Sequence, residues 1–376
     1  MVIGANTRPI VKSAKKLGMK TIALDRFCDL DLEADVSIST RGFTREELLE
    51  LAVKIIDGHD VDGALLISGA EHYGLVEGLR KKVKICGNDM PTIRACEDKI
   101  KLFKLADELG IPHPRTLLVK NEGEALDALE ELDGRAVFKP AYGGGGIGIS
   151  CACSPLQVEA SFNTARAHGD RKTVYVQEYV KGVDASVSVL SNGEEARYLT
   201  VNEQIIGDKT LRTPCPFGYC GNVVPIYEIK DLELVADYSE LICGELGVKG
   251  SNGLDFVLSD KPYLIEINPR FQSTIDCVEK VLSINLVEEH LKACEGVLKN
   301  YGKPRGYGAK LILYAGSELV APDLGGFPIV DVPVPGSIVE GPICSVLEFG
   351  KTEKETLRKS YAVAREIYHR IDSQKV

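Results

Sequence analysis

The chain has 376 residues, 44% of them hydrophobic and 27% charged, with a net charge of -10 and a pI near 5.3. That length corresponds to about two to three domains of ordinary globular composition. The acidic surplus argues against nucleic acid or an anionic membrane as partner, and no apolar run approaches the roughly 20 residues that span a bilayer.

The opening "MVIGANTRP" reads as strand and turn rather than a signal peptide, so a cytoplasmic location is expected. Over residues 1–90, strand and helix patterns alternate. "VIGA", "KTIALD", "DGALLIS" and "VKICG" are strand-like. "RPIVKSAKKLG", "TREELLELAVKIIDGHD" and "GLVEGLRKK" are helical, the second opening on a Thr44-x-x-Glu47 capping box. Such alternation predicts a parallel sheet. "PTIRACEDKIKLFKLADELGIPHP" carries a helical apolar stripe that Gly110 and the prolines end. Strand patterns then dominate to about residue 300, at "TVYVQEYV", "ASVSVL", "YLTVNEQII", "GLDFVLS" and "YLIEIN". Helical patterns lie at "DLELVADYSELICGELG" and "NLVEEHLKACEGVLKN". Short strands and a closing helix make up 301–376. Eleven scattered cysteines without a C-x-x-C pair read as small buried side chains rather than a zinc site.

"RAVFKPAYGGGGIGIS" (135–150) contains a literal G-x-G-x-x-G at Gly143, Gly145 and Gly148. A dinucleotide fingerprint needs a helix to start at once, so that its N-terminus meets the pyrophosphate. Here a strand pattern follows, and no Gly-Lys-Ser/Thr marks a P-loop. The stretch predicts strand, glycine loop, strand.

"GLDFVLSDKPYLIEINPR" (253–270) predicts a hairpin around Asp260-Lys261. An even loop there puts Ser259 opposite Pro262, Val257 opposite Leu264 and Asp255 opposite Glu266. Strand alternation adds Asn268 and Arg270 to the face of Glu266 and turns Ile265 and Ile267 to the other. Facing carboxylates repel. Hard oxygen ligands converging on a point suit Mg²⁺ held together with substrate phosphates, and Arg270 would face an anionic group.

Together these elements resemble the ATP-grasp superfamily along the whole chain. "EDKIKLFKLADELGIPHP" resembles its Asp-Lys helix, "VFKPAYGGGGIGI" its lysine strand and glycine loop, "VQEYVKGVD" its adenine and ribose hinge, and "DFVL…YLIEINPR" its metal hairpin. "GANTRPIVKSAKKLG", "SGAEH" and "FGYCGNVVP" resemble the archaeal-type predicted ATP-dependent carboligase group, related to biotin carboxylase. The resemblance implies an α/β (α+β ATP-grasp) fold in three parts. These are a parallel α/β domain over 1–90, a two-lobed ATP-grasp domain over 91–300 with its small lobe at about 112–182, and a small mixed carboxylase-like segment over 301–376.

It also implies ATP with one or two Mg²⁺, Mn²⁺ being an alternative. Lys99, Lys139 and Gly143, Gly144, Gly145 and Gly146 would serve the phosphates. Gln177, Glu178, Tyr179, Val180 and Asp184 would serve adenine and ribose, with backbone groups of Glu178 and Val180 on adenine and the Asp184 carboxylate on ribose. Asp255, Glu266 and Asn268 would hold the metal, and Arg270 would stabilise the transferring group. The implied reaction is carboxylate phosphorylation followed by attack of an amine, in an enzyme expected to dimerise. Lys209 and Arg212 either anchor the carboxylate or belong to a surface loop. Glu71 and His72 stand where a parallel sheet presents ligands. Arg8 either anchors an acidic substrate or precedes a helix start. Competing readings are a bicarbonate-using carboxylase component and a nucleotide sensor, while an NAD-dependent oxidoreductase rests only on the literal glycine spacing.

Overall fold

Strands β1 (Val2–Gly4), β2 (Ile22–Asp25), β3 (Val36–Ser39) and β4 (Leu65–Leu66) are parallel and ordered β3-β2-β1-β4. Parallel neighbours need crossovers, and helices Arg8–Lys15 and Arg45–Gly58 provide two of them. Thr44 caps the latter, accepting a hydrogen bond from the Glu47 amide. "VKICG", expected as a strand, gives only one bridge, Ala64 to Ile85. Gly87, at φ +147°, and the capping residue Asp89 divert the chain into helix Met90–Glu97 before a ladder extends. The computed structural model from which this fold is read describes residues 1–40, 42–169, 172–226 and 230–374, without the side chains of residues 72 and 73.

The helical pattern after residue 90 is two helices, Met90–Glu97 and Lys99–Glu108. Asp98 leaves the helical region at ψ 91°, and its carboxylate accepts from the Lys101 amide, so it caps the second helix. Lys99 thereby becomes a first-turn residue and is buried.

Strands β5 (Thr116–Val119), β6 (Ala136–Pro140), β7 (Ser150–Ala152) and β8 (Val174–Glu178) form an antiparallel sheet, β5-β8-β6-β7. Helices Glu122–Glu131 and Val158–His168 pack on it through Leu129, Phe138, Phe162 and Val176. The largest sheet contains β9 (Val183–Asn192), β10 (Ala196–Ile206), β11 (Tyr219–Val224), β12 (Lys249–Leu258), β13 (Pro262–Asn268) and β14 (Tyr307–Tyr314). The ribbon strand β15 (Leu319–Val320) precedes β16 (Ile329–Val330). β17 (Ile338–Val339) completes the ribbon, and β18 (Pro342–Gly350) returns to the sheet. The order is β13-β12-β9-β10-β11-β14-β18-β16. Residues 301–376 are thus continuous with the central sheet through β14 against β11, Asn222 lying opposite Lys310.

Asp255 pairs with Glu266, as the sequence leads one to expect, but the hairpin reaches that register by another route. Val257 faces Tyr263 and Leu258 faces Pro262, because the turn is one residue longer. A bulge at Ile265 then restores the expected pairing. The bulge breaks alternation: Leu264 and Ile267 both enter the core, while Ile265 borders the cavity described below. Among the described residues no helix is long and apolar enough to cross a membrane.

Candidate active site

One cavity of about 750 Å³ lies between the three sheets and is bordered by residues from every part of the chain. Its polar floor follows from register. Glu266, Asp255 and Ser186 are successive partners across β13, β12 and β9, and Gln204, Asn222 and Lys310 are successive partners across β10, β11 and β14. All six border the cavity. Gln204, Asn222 and Lys310 escape a motif search. Their only signal is a polar residue facing the apolar end of each strand, at "NEQII", "GNVV" and "GAKLIL", and in the first of these it stands beside two other polar residues.

The two carboxylates are held by donors on both sides. The Gln204 amide donates to Asp255 Oδ1 at 2.9 Å, and the Asn268 amide donates to Asp255 Oδ2 at 3.1 Å and Glu266 Oε1 at 3.5 Å. Lys99 donates to Glu266 Oε2 at 3.1 Å from behind, without itself bordering the cavity. Burial and the neighbouring Glu266 charge push the Asp255 carboxyl well up. Burial would raise Glu266 too, but the charges of Lys99 and Lys139 override it and hold Glu266 down at about 2. Burial and Lys99 together lower Lys139 to about 8, against the pull of Glu266, Asp255 and Asp184.

Arg270 stands at the end of β13. Its Nε lies 2.5 Å from Oε1 of Glu71, which is 1% exposed, and Nη1 donates to the Phe271 carbonyl. Glu71 therefore serves the site by orienting Arg270. The His72 side chain lies outside the described residues.

The glycine stretch is a loop between β6 and β7, paired Ala136 to Ala152 and Phe138 to Ser150, with no helix start to receive a dinucleotide. Gly144, Gly145 and Gly146 border the cavity, whereas Gly143 does not. The loop docks on residues 215–219. Tyr219 N–H donates to the Gly145 carbonyl at 3.2 Å, and the Cys215 thiol approaches the Gly146 carbonyl at 3.4 Å. A Cβ on Gly146 would lie 1.8 Å from the Phe217 carbonyl oxygen.

Gln177, Glu178, Tyr179, Val180 and Asp184 border the cavity opposite. The Gln177 amide donates to Thr116, the Glu178 amide is given to the Arg115 carbonyl, and the Arg135 guanidinium stacks 3.6 Å above the Tyr179 ring. Burial raises the Asp184 carboxyl, with Lys139 opposing.

Four cationic residues stand away from the cavity, Lys99, expected on the phosphates, among them. Lys209 and Arg212 do not border the cavity. Arg212 is committed elsewhere, donating to Asp372 at 2.6 Å and lying over the Tyr368 ring, so the closing helix claims it rather than a substrate. Arg8 anchors no substrate either. It is 2% exposed, bidentate to Asp276 and bonded through Nε to Asp331.

The donor set fits a hard divalent cation. Among the described residues no three His, Cys, Asp or Glu side chains form a complete metal cage. Two carboxylates and an amide do converge, and Mg²⁺ is commonly bound by one or two carboxylates, substrate phosphates and water. The raised Asp255 carboxyl marks a like-charge pair that a cation would relieve.

The fold is shared with a solved biotin carboxylase domain. The biotin carboxylase domain dimer of Hydrogenobacter thermophilus 2-oxoglutarate carboxylase, solved with MgADP, ADP and bicarbonate, superposes with a TM-score of 0.76 at 17% identity. The match covers 95% of this chain and 88% of that one. Residues 96–274 match a family model described as an ATP-grasp domain. It is 28% identical over 363 residues to an uncharacterized protein of Methanocaldococcus jannaschii, covering 92% of this chain and 87% of that protein. It is 24% identical over 306 residues to the carbamoyl phosphate synthase large chain of Clostridium acetobutylicum, covering 80% of this chain but only 28% of that protein.

Proposed function

We propose that the chain is an ATP-dependent ligase that activates a small-molecule carboxylate as an acyl phosphate and joins it to an amine, releasing ADP. The observation that carries this reading is the convergence, on one cavity, of the Asp255–Glu266 pair, Asn268, Lys139 and Arg270 beneath the glycine loop. Phosphoryl transfer depends on positioning and charge neutralisation, and these residue types supply both. Asp255, Glu266 and Asn268 would hold Mg²⁺, which when bound neutralises phosphate charge. Lys139 would pair with the phosphates, and Lys99 keeps Glu266 ionised from behind. Gly144, Gly145 and Gly146 would close over the triphosphate. Tyr179 and Val180 would border adenine, and Asp184 would accept from ribose. Arg270, oriented by Glu71, would stabilise charge on the transferring phosphoryl group or the tetrahedral oxyanion. Lys209 and Arg212 are left out of these roles.

The test is incubation with MgATP, hydroxylamine and a panel of carboxylic acids, reading hydroxamate and ADP together. Hydroxylamine intercepts an acyl phosphate whatever the natural amine is. Hydroxamate from one acid, lost in Glu266→Gln, is the expected result. ATP binding with no acid-dependent ADP release from any acid would refute it. A second reading, bicarbonate carboxylation, is favoured by the likeness to a biotin carboxylase domain along 95% of the chain. ADP release driven by bicarbonate alone would select it. That likeness to a domain dimer also supports a homodimer, checked by light scattering.

A further inference from the structure

The end of the cavity farthest along the chain from the adenine strands is built by the N-terminal domain, and one carboxylate there differs from its neighbours. Asp25 accepts from Thr7, Phe27 and Cys28. Asp31 accepts from the amides of Asp331 and Val332. Asp276 is bidentate to Arg8. Asp331 accepts from Asn6, Arg8 and Ser345 and pairs with Lys310 at 3.0 Å. Arg8 and Lys310, which pair with Asp276 and Asp331, are both consumed.

Asp29 borders the cavity, is half-buried, and its carboxylate has no hydrogen-bond or ion-pair partner among the described residues. We infer that Asp29 is a specificity-determining residue that receives an ammonium group of the substrate, and that the substrate carries an apolar body behind that group. The inference deepens the ligase reading and rests on it for the identity of the cavity as a substrate chamber.

Two features of the chamber support this assignment. A half-buried carboxylate without a counter-charge is costly, and a cationic guest would supply the missing partner. Burial, and then Asp331, Asp25 and Asp31, raise the Asp29 carboxyl to about 8, with Arg8 opposing. A negatively charged guest would meet the same repulsion that raises it. The same cavity is bordered by the apolar Ile10, Phe27, Ile67, Ile275, Ile312 and Ile343. An ammonium group entering this chamber would ionise the Asp29 carboxyl and pair with it, so the chamber selects a primary amine on a hydrophobic body over an isosteric alcohol, because only the amine completes the charge pair.

The test compares matched pairs in binding, without turnover: phenethylamine against 2-phenylethanol, and hexylamine against hexanol. Dissociation constants are measured by ligand-observed NMR on the full chain, the Asp29→Asn variant and the Asp29→Glu variant. The wild-type chain should bind each amine at least tenfold tighter than its alcohol. Asp29→Asn should bring the two within twofold, and Asp29→Glu should keep most of the preference. Equal affinity for amine and alcohol, binding of neither, or a preference that survives in Asp29→Asn would overturn the inference. If Asp29→Asn fails to fold, the wild-type and Asp29→Glu comparisons decide alone. Absence of hydroxamate in the ligase assay would refute the reaction but leave this binding result standing, so the two failures are separable.

Discussion

Gly146 and Gly144 lie two residues apart in the same loop and should respond oppositely to alanine. Gly146 has φ +79°, where a side chain costs about 1–2 kcal/mol. Its Cβ would also sit 1.8 Å from the Phe217 carbonyl oxygen, a backbone atom that cannot swing away. Separating them breaks the hydrogen bond from Tyr219 N–H to the Gly145 carbonyl, worth about 0.5–1.5 kcal/mol. The docked loop is thus destabilised by roughly 2–3 kcal/mol, which corresponds to about 30- to 140-fold in the docking equilibrium. Gly144 has no positive φ and open space where its Cβ would be. If ATP is held by the docked loop, Gly146→Ala should weaken MgATP binding at least about tenfold, and Gly144→Ala should stay within about twofold of the parent. Titration of a fluorescent ATP analogue, displaced by MgATP, reads both variants. Equal losses in the two variants would refute the reasoning. They would place the need for glycine in close approach to phosphate rather than in docking.

Other expectations follow from the charged groups. Lys139 sits at about 8 in the free protein. Below that pH it is already charged for ATP; above it, binding must take up a proton, so log Kd should climb by up to about one per pH unit. In Lys139→Met, ATP affinity measured from pH 6.5 to 9.5 should be weak and lack that rise. Arg8→Met leaves Asp276 and Asp331 buried without their shared guanidinium and should cost about 3–5 kcal/mol in denaturant unfolding. Glu71→Gln releases Arg270, so acid-dependent ADP formation should fall about 100-fold while MgATP affinity holds.

Local features of the fold were legible because local chemistry fixes them. Thr44 caps its helix, the glycine loop joins two paired strands, and Asp255 faces Glu266. The last agreement came through two compensating departures, a longer turn and a bulge at Ile265. Neither has a distinct signal in a run of strand-forming residues. Asp98 hid inside a continuous apolar stripe, so its helix break was not legible, although the break is what turns Lys99 toward Glu266. The alternatives left open for two cations turn on one cause. Arg212 finds Asp372 and Arg8 finds Asp331, 160 and 323 residues away in sequence. A cation's availability depends on tertiary partners that no local pattern names. Asp29 is the converse, a carboxylate whose neighbours take Arg8 and Lys310.

The Arg8 network has a mechanical consequence. Helix Arg8–Lys15 begins with a guanidinium clamped to Asp276 of helix Ile275–Leu282 and to Asp331 near the C-terminal end, and Lys310 bridges the same two aspartates. Head, middle and tail of the polypeptide are thereby pinned at one point beneath the cavity. On the ligase reading, a clamp built this way would have one fixed jaw and one moving jaw. The chamber would keep its shape while the 116–178 sheet, with its glycine loop, opened and shut against it. Discrimination among substrates could then be tuned in the fixed jaw without altering the part that would handle ATP.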